Sequence, residues 1–380
     1  MSSTLTRRSL GRLLGATAGA AILDARFPGR LSAATLPSHA AGGPIRLSAN
    51  ENPYGPCQAS LDAFARSSSE ANRYPGAIED EMKAALAKHH GVPEDRIVLG
   101  CGSSDILRMA DSAFVPEGKT VVVAEPTFEA VLLYCKATKG EPVKVPQTTD
   151  YRHDLVGMAA ACGAATGKTG MVYVCNPNNP TGTIVGAQEL EAFVRRVPPS
   201  CVVLVDEAYH HFVESPSYKS AIELIGRHDN VVVARTFSKI YGMAGMRLGY
   251  AVASPARAQA LQSHSSWNNT SQSGLAMGLA ALADPDVVAD QRRRINDARR
   301  WLCAELVRDN RKFIPSETNF VMIHVGGDIG PVAHAMRERG IQVGRKFPSM
   351  PDWLRVSIGK PEDMKAFVAA LRQIVPAKAA

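Results

Sequence analysis

The sequence predicts an α/β protein, with a large domain built on a mostly parallel, helix-covered sheet and a smaller α+β domain after it. Three observations carry this. Short runs apolar at every position recur at 97–99, 121–124, 171–175, 201–205, 231–234 and 250–253. A strand of that kind is buried on both faces, as in a parallel sheet with helices on each side. Segments with helical spacing, such as 78–89 and 188–196, lie between the runs, and this alternation is the α/β signature. Beyond residue 260 the order changes to a helix-rich stretch from Ser271 to Asp309, strand-like segments at 320–324 and 354–358, and a last helix at 364–374.

The chain has 380 residues, 45% of them hydrophobic, which is ample for a large core. Its first forty residues differ from the rest. Arg7, Arg8 and Arg12 precede a weakly apolar stretch at 13–23, and small residues follow at 31–33 and 38–40. A basic start, an apolar middle and a small-residue exit describe a secretory signal, and the paired arginines resemble a twin-arginine signal for folded proteins. A short N-terminal helix kept on a cytoplasmic protein is the other reading. The Gly-interrupted middle makes a poor helix in water and favours export to the periplasm. The expected division is a signal at 1–40, an N-terminal arm at 41–73, a large domain at 74–260 and a small domain at 261–380.

Five arginines and one aspartate in residues 1–40 account for +4 of the formal +7, leaving +3. That is too little to argue for nucleic acid. No apolar run in the body of the chain is long enough to span a membrane, so no membrane partner is expected once the signal is removed. Arg292, Arg293, Arg294, Arg299 and Arg300 share a stretch of helical spacing and read as a solvated helix face. The seven cysteines are scattered without a C-x-x-C, and His89-His90 and His210-His211 are adjacent rather than four apart, so no metal site is expected.

Ligands of open α/β sheets bind beyond the carboxyl ends of the strands. Polar or glycine-rich clusters at 100–104, 126–128, 176–182, 206–209 and 236–245 each follow a run, and would converge on one sheet edge. Lys239 follows the hydroxyl residues Thr236 and Ser238, where a desolvated amine could act as a nucleophile toward an aldehyde. Arg247, eight residues on in a glycine-rich stretch, suits the paired oxygens of a phosphate. Alone, the lysine would read as a surface residue; at this spacing the pair reads as a site. Asp206 at a strand end needs a cation, which a protonated pyridine nitrogen would supply; capping a helix is its structural alternative. Tyr209 could bond a ring oxygen. Asn179 projects an amide from an Asn/Pro-rich turn. Ser103 and Ser104 open a helical pattern and could bind phosphate, or cap the helix, or both. Phe128 could lie on a planar ring or fill the core.

These motifs resemble the class I/II aminotransferases of the pyridoxal-phosphate fold-type-I superfamily, most nearly the histidinol-phosphate aminotransferases. The likeness runs from Leu47-Ser48-Ala49-Asn50-Glu51-Asn52-Pro53 and Asn72-Arg73-Tyr74-Pro75 through Asn178-Asn179-Pro180-Thr181-Gly182, Asp206-Glu207-Ala208-Tyr209 and Ser238-Lys239 with Arg247. It ends on Ser316-Glu317-Thr318-Asn319-Phe320 and Leu354-Arg355-Val356-Ser357-Ile358-Gly359. It implies a seven-stranded large-domain sheet, pyridoxal 5'-phosphate as cofactor, and ping-pong transfer of an amino group between an amino acid, or an amine such as histidinol phosphate, and a 2-oxo acid. Lys239 would hold the cofactor and shuttle the proton, Asp206 would pair with the ring nitrogen, and Asn179 and Tyr209 would contact the ring oxygen. Ser103, Ser104, Thr236, Ser238 and Arg247 would hold the phosphate, with Phe128 on the ring where the family often has tyrosine. Arg355 would take the substrate's acidic group, and Tyr74 would reach the neighbouring subunit's phosphate in a homodimer with shared sites.

Two departures bear on the substrate. The family tends to carry an arginine directly after the strand that reads Ile341-Gln342-Val343; here Gly344 stands there and Arg345 follows, a candidate anion contact one place late. A biosynthetic histidine enzyme has no evident reason to leave the cytoplasm, so an exported relative acting on another amino acid is expected. The rivals are a fold-type-I decarboxylase or oxidase with the same cofactor motifs and, from another class, an exported solute-binding protein.

Overall fold

The computed structural model describes residues 43–164 and 167–376; the signal segment expected at 1–40 lies outside them. The strands, in chain order, are β1 (Ile45–Leu47), β2 (Ile97–Cys101), β3 (Thr120–Glu125), β4 (Glu141–Pro146), β5 (Thr169–Cys175), β6 (Val202–Asp206), β7 (Val231–Thr236), β8 (Leu248–Ala253), β9 (Phe313–Ile314), β10 (Phe320–His324), β11 (Ile341–Val343) and β12 (Trp353–Ser357). Seven of them form the large sheet, in the order β2-β8-β7-β6-β5-β3-β4. Strand β8 runs antiparallel to both neighbours, and the other pairings are parallel.

The apolar runs are strands buried on both faces. On one face Val172, Val174, Val203, Val205, Val231 and Val233 join the larger core with the helices Gly76–His90, Ala187–Arg196 and Val287–Arg308. On the other, Met171, Tyr173, Val202, Leu204 and Val232 pack against the helices Ser103–Phe114, Ala130–Ala137 and Pro255–Gln262. Alternate residues of one strand thus enter two apolar layers, which is why no polar alternation shows in the sequence. Strand β4 escapes that signal. It is an edge strand with two prolines and only one buried residue, and Pro is tolerated at an edge because no neighbour needs its N–H.

The smaller lobe carries the antiparallel sheet β12-β10-β9, with the helices Val287–Arg308, Ile329–Glu338 and Pro361–Ile374. Strand β1 pairs in parallel with β11, Ile45 beside Ile341 and Leu47 beside Val343, which ties the N-terminal arm to this lobe. The helix Gln272–Ala283 lies against the helix Gln58–Ser67, where Ser60 donates to the carbonyl of Met277 at 2.9 Å.

The arginine run is not one solvated face. Arg293, Arg294 and Arg300 are exposed, but Arg299 is buried, donating to the Thr318 carbonyl at 2.7 Å and pairing with Glu214 at 3.1 Å. Helical spacing puts Arg299 on the stripe of Ile295 and Leu302, which faces the core.

Candidate active site

Cys175, Asp206 and Thr236 end three adjacent parallel strands, and the register aligns Cys175 with Asp206 and Asp206 with Ala234. A cavity of about 250 Å³ opens beyond these ends. Ser103, Ser104, Phe128, Asn179, Asp206, Tyr209, Thr236, Ser238, Lys239, Arg247, Arg345 and Arg355 all line it. Tyr74 does not; its side chain stands 82% exposed on the surface.

Asp206 is 2% exposed. Its carboxylate accepts the Tyr173 hydroxyl at 2.9 Å and the Ala208 amide at 3.1 Å, and it has no ion pair among the described residues. Burial, only partly offset by those donors and by Lys239, pushes its pKa up to about 6. Lys239 faces the cavity and is otherwise enclosed. Its Nζ donates to the carbonyls of Asn50 at 3.1 Å and Ala49 at 3.3 Å, and lies 5.6 Å from the Tyr209 ring centre. Burial first, then repulsion from Arg355, lowers its pKa to about 8, so a useful fraction of free amine exists near neutrality.

The far end of the cavity is an anion cradle. The helix Ser103–Phe114 opens there behind Gly102, whose φ of +78° suits glycine. A Cβ on Gly102 would lie 2.2 Å from Arg247 Nη2, and one on Gly249 would lie 2.3 Å from the Ser103 amide nitrogen, so both glycines admit the close approach that builds the cradle. Arg247 is anchored by the Ala244 carbonyl at 3.0 Å and by Ser238 Oγ at 3.4 Å. The Thr236 hydroxyl donates to Ser238 Oγ at 2.9 Å. A helix N-terminus, a guanidinium and four hydroxyls in one recess match a phosphate.

Arg355 closes the opposite side. Its Nη1 donates to Asn179 Oδ1 at 2.7 Å and its Nη2 to the Ser48 carbonyl at 2.8 Å, while the buried Nε has no partner. The guanidinium is thereby fixed, and each terminal nitrogen keeps a second N–H for a carboxylate. Arg345 stands at the mouth, ion-paired with Glu129 and 4.4 Å from the Phe347 ring centre.

Sequence reasoning singled out no role for Asn50, which proves central. It adopts a left-handed φ of +55°, and its Nδ2 donates to the Tyr209 hydroxyl at 3.0 Å while its carbonyl accepts Lys239. Its own amide and Oδ1 are held by Ser357 Oγ at 2.8 and 3.0 Å. The usable signal was the Asn-Glu-Asn-Pro run, since Asn tolerates that backbone region better than most residues. Ala49, Cys175, Ala208 and Ala244 also line the cavity, and nothing in their residue types marks them.

The cavity therefore offers an amine of lowered pKa, a buried carboxylate lacking a cation, and a phosphate cradle. A phosphorylated pyridine aldehyde has the three complementary groups, and the residues fit it. A family model described as aminotransferase class I and II matches residues 43–371. Histidinol-phosphate aminotransferase 1 of Cupriavidus pinatubonensis is 38% identical over 339 residues, 87% of this chain and 88% of that protein. An aromatic amino acid aminotransferase of Rhodococcus jostii is 39% identical over 346 residues, 88% of this chain and 92% of that protein. Among solved structures, the histidinol-phosphate aminotransferase of Sinorhizobium meliloti in complex with pyridoxal-5'-phosphate superposes with a TM-score of 0.82 at 30% identity, covering 88% of this chain and 91% of that one.

Proposed function

The chain belongs to the class I and II aminotransferase family and is a pyridoxal-phosphate-dependent transaminase; from that premise we propose how its residues divide the work and what they act on. The observation that carries the reading is the pairing, in one cavity, of Lys239 with a buried Asp206 that has no ion-pair partner among the described residues. Asp206 would hold the ring nitrogen of pyridoxal 5'-phosphate protonated. Ser103, Ser104, Thr236, Ser238 and Arg247 would hold its phosphate, Asn179 and Tyr209 its ring oxygen, and Phe128 its face. When bound, the cofactor supplies an electron sink for the pair left on the substrate carbon. Lys239 Nζ takes the proton from that carbon and returns one in the second half-reaction, a task suited to an amine of pKa about 8. Arg355 fixes the substrate carboxylate through the remaining N–H groups of its terminal nitrogens, and Asn179 holds that guanidinium in place.

The overall reaction is ping-pong transfer between an amino acid, or an amine such as histidinol phosphate, and a 2-oxo acid. The relatives' names span both the phosphate-bearing and the aromatic class. We take the protein to act as a homodimer in which Tyr74 serves the neighbouring site; the 82% exposure of Tyr74, away from the cavity of its own chain, supports this. The basic, then apolar, then small-residue pattern of residues 1–40 supports export.

One experiment tests the core of this. Visible absorbance of the purified protein is followed while amino acids, then 2-oxo acids, are added, beside Lys239→Ala. A spectral change driven by an amino acid and reversed by a 2-oxo acid, with stoichiometric keto product, supports amino transfer. Release of carbon dioxide or consumption of oxygen would instead favour the decarboxylase or oxidase reading. A Lys239→Ala protein with the wild-type spectrum would overturn the role given to the lysine.

A further inference from the structure

Four cations line the cavity, and three have evident work: Lys239 and Arg247 toward the cofactor, Arg355 toward the substrate carboxylate. Arg345 is the fourth, and it alone stands where an anionic group on the substrate's side chain would meet it. It is not free to do so. Its Nη2 pairs with Glu129 Oε2, and its Nη1 donates to the carbonyl of Lys346 at 3.2 Å. Lys346, the next basic residue, is held by Asp328. Glu129 belongs to the large lobe, directly after Phe128, which lines the cavity; Arg345 comes from the small lobe, two residues beyond β11. The pair thus spans the mouth from lobe to lobe and cancels its own charge there.

We propose that Glu129 is a specificity-determining residue: by occupying the Arg345 guanidinium it makes the outer pocket favour uncharged, aromatic side chains over phosphate monoesters. This rests on the reading of Arg355 as the carboxylate contact, which points the side chain toward Arg345. A phosphate reaching Arg345 has to displace Glu129 or lie beside it, and either is unfavourable for a dianion. An aromatic ring meets the flat face of a neutralised ion pair without that conflict. The pair is partly exposed, with the side chains of Arg345 and Glu129 at 53% and 39%, so removing one partner alters recognition more than folding.

The test compares phenylalanine with O-phosphoserine, which carries both a carboxylate for Arg355 and a side-chain phosphate monoester, on wild type, Glu129→Gln, Arg345→Ala and the double variant. Both kcat/KM and calorimetric binding are read. Glu129→Gln is expected to raise kcat/KM and affinity for O-phosphoserine by about tenfold, the size of one freed charge-assisted contact. Phenylalanine changes by less than about twofold on the same scale. In the Arg345→Ala background the Glu129 change has no such effect, because the guanidinium it frees is gone. No gain for O-phosphoserine in Glu129→Gln, by either readout, overturns the proposal. Failure of the underlying reading looks different: Arg355→Lys would then leave the KM of both substrates unchanged while the Glu129 effect stands or falls on its own.

Discussion

Asp206 and Glu207 are neighbours in the chain and equally buried, each 2% exposed, yet they belong to two different regions. Glu207 lies in a closed cluster behind the cavity. It accepts Nε and Nη2 of Arg235 at 3.0 and 2.8 Å, the Ala221 amide at 2.6 Å and the Ser220 hydroxyl at 2.8 Å. Burial alone would raise its pKa; Arg235 and the donors outweigh burial and hold it below the ordinary carboxylate value. Asp206 has two donors and, among the described residues, no ion-paired cation, and burial wins. A buried charge with its partner in the same chain serves the fold. One left without a partner is costly to the fold and marks where a cationic ligand belongs.

The largest expected effect sharpens this division. Lys239→Ala should lower the rate of amino transfer roughly 10⁴-fold, the upper range for a lost general base. Thermal unfolding should show no loss of stability, since the variant removes a desolvated amine. The two carboxylates come next. Glu207→Gln leaves Arg235 buried and unpaired, which costs about 3–5 kcal/mol of stability by chemical denaturation. The kcat of what remains folded should hold within about twofold, because Glu207 makes no contact with reacting groups. Asp206→Asn should do the reverse, lowering kcat roughly 10²–10³-fold with no loss of stability at pH 8 in the cofactor-free protein. If both variants lose stability and activity in parallel, the two regions are one and the contrast fails.

The pH dependence of cofactor-free stability carries the same contrast with opposite signs. Asp206 has a folded pKa of about 6, above the ordinary aspartate value of 3.8, so the folded state holds the proton more tightly. Its contribution, on the order of 3 kcal/mol, is full below pH 4 and is lost as pH rises through 6. Glu207 has a lowered pKa, so its contribution is present above the ordinary glutamate range and is lost as pH falls. Because other buried groups such as Asp111 and His153 also titrate, the reading is the difference between wild type and Asp206→Asn in a denaturation series from pH 4 to 8, and wild type should lose ground to the variant as pH rises through 6.

Much of this arrangement is legible in the sequence because it depends on strand ends. Six apolar runs locate six of the seven sheet strands, and the polar residues after them have to emerge on one edge once the strands are parallel. What resists reading is whatever long-range pairing supplies. Asn50 enters the cavity because β1 pairs with β11, about three hundred residues away, and no local periodicity encodes that register. Strand β4 hides because an edge strand need not be apolar. Arg299 reads as solvated by residue type, and only the turn of its helix toward Thr318 and Glu214 reveals the buried partner. The Glu129–Arg345 pair likewise joins two lobes that the sequence keeps 216 positions apart.

The smallest expected effect comes from Tyr173, a β5 residue with no exposed surface whose hydroxyl donates to Asp206 Oδ2. Tyr173→Phe removes the donor with almost no change of shape, so packing is kept. The Asp206 carboxylate then retains only the Ala208 amide, and its pKa rises above about 6. At pH 8, where the group is charged, the variant should lose about 1.5–3 kcal/mol, the range for a hydrogen bond to a charged group. At pH 4, where Asp206 is protonated in the folded state, the loss should nearly vanish, and the midpoint of the stability decline should move upward. A loss independent of pH would mean that the hydroxyl serves packing and leaves the carboxylate's charge unaffected. The contrast between the two carboxylates would then rest on Arg235 alone, and Asp206 would owe its state to burial with no help from its neighbours.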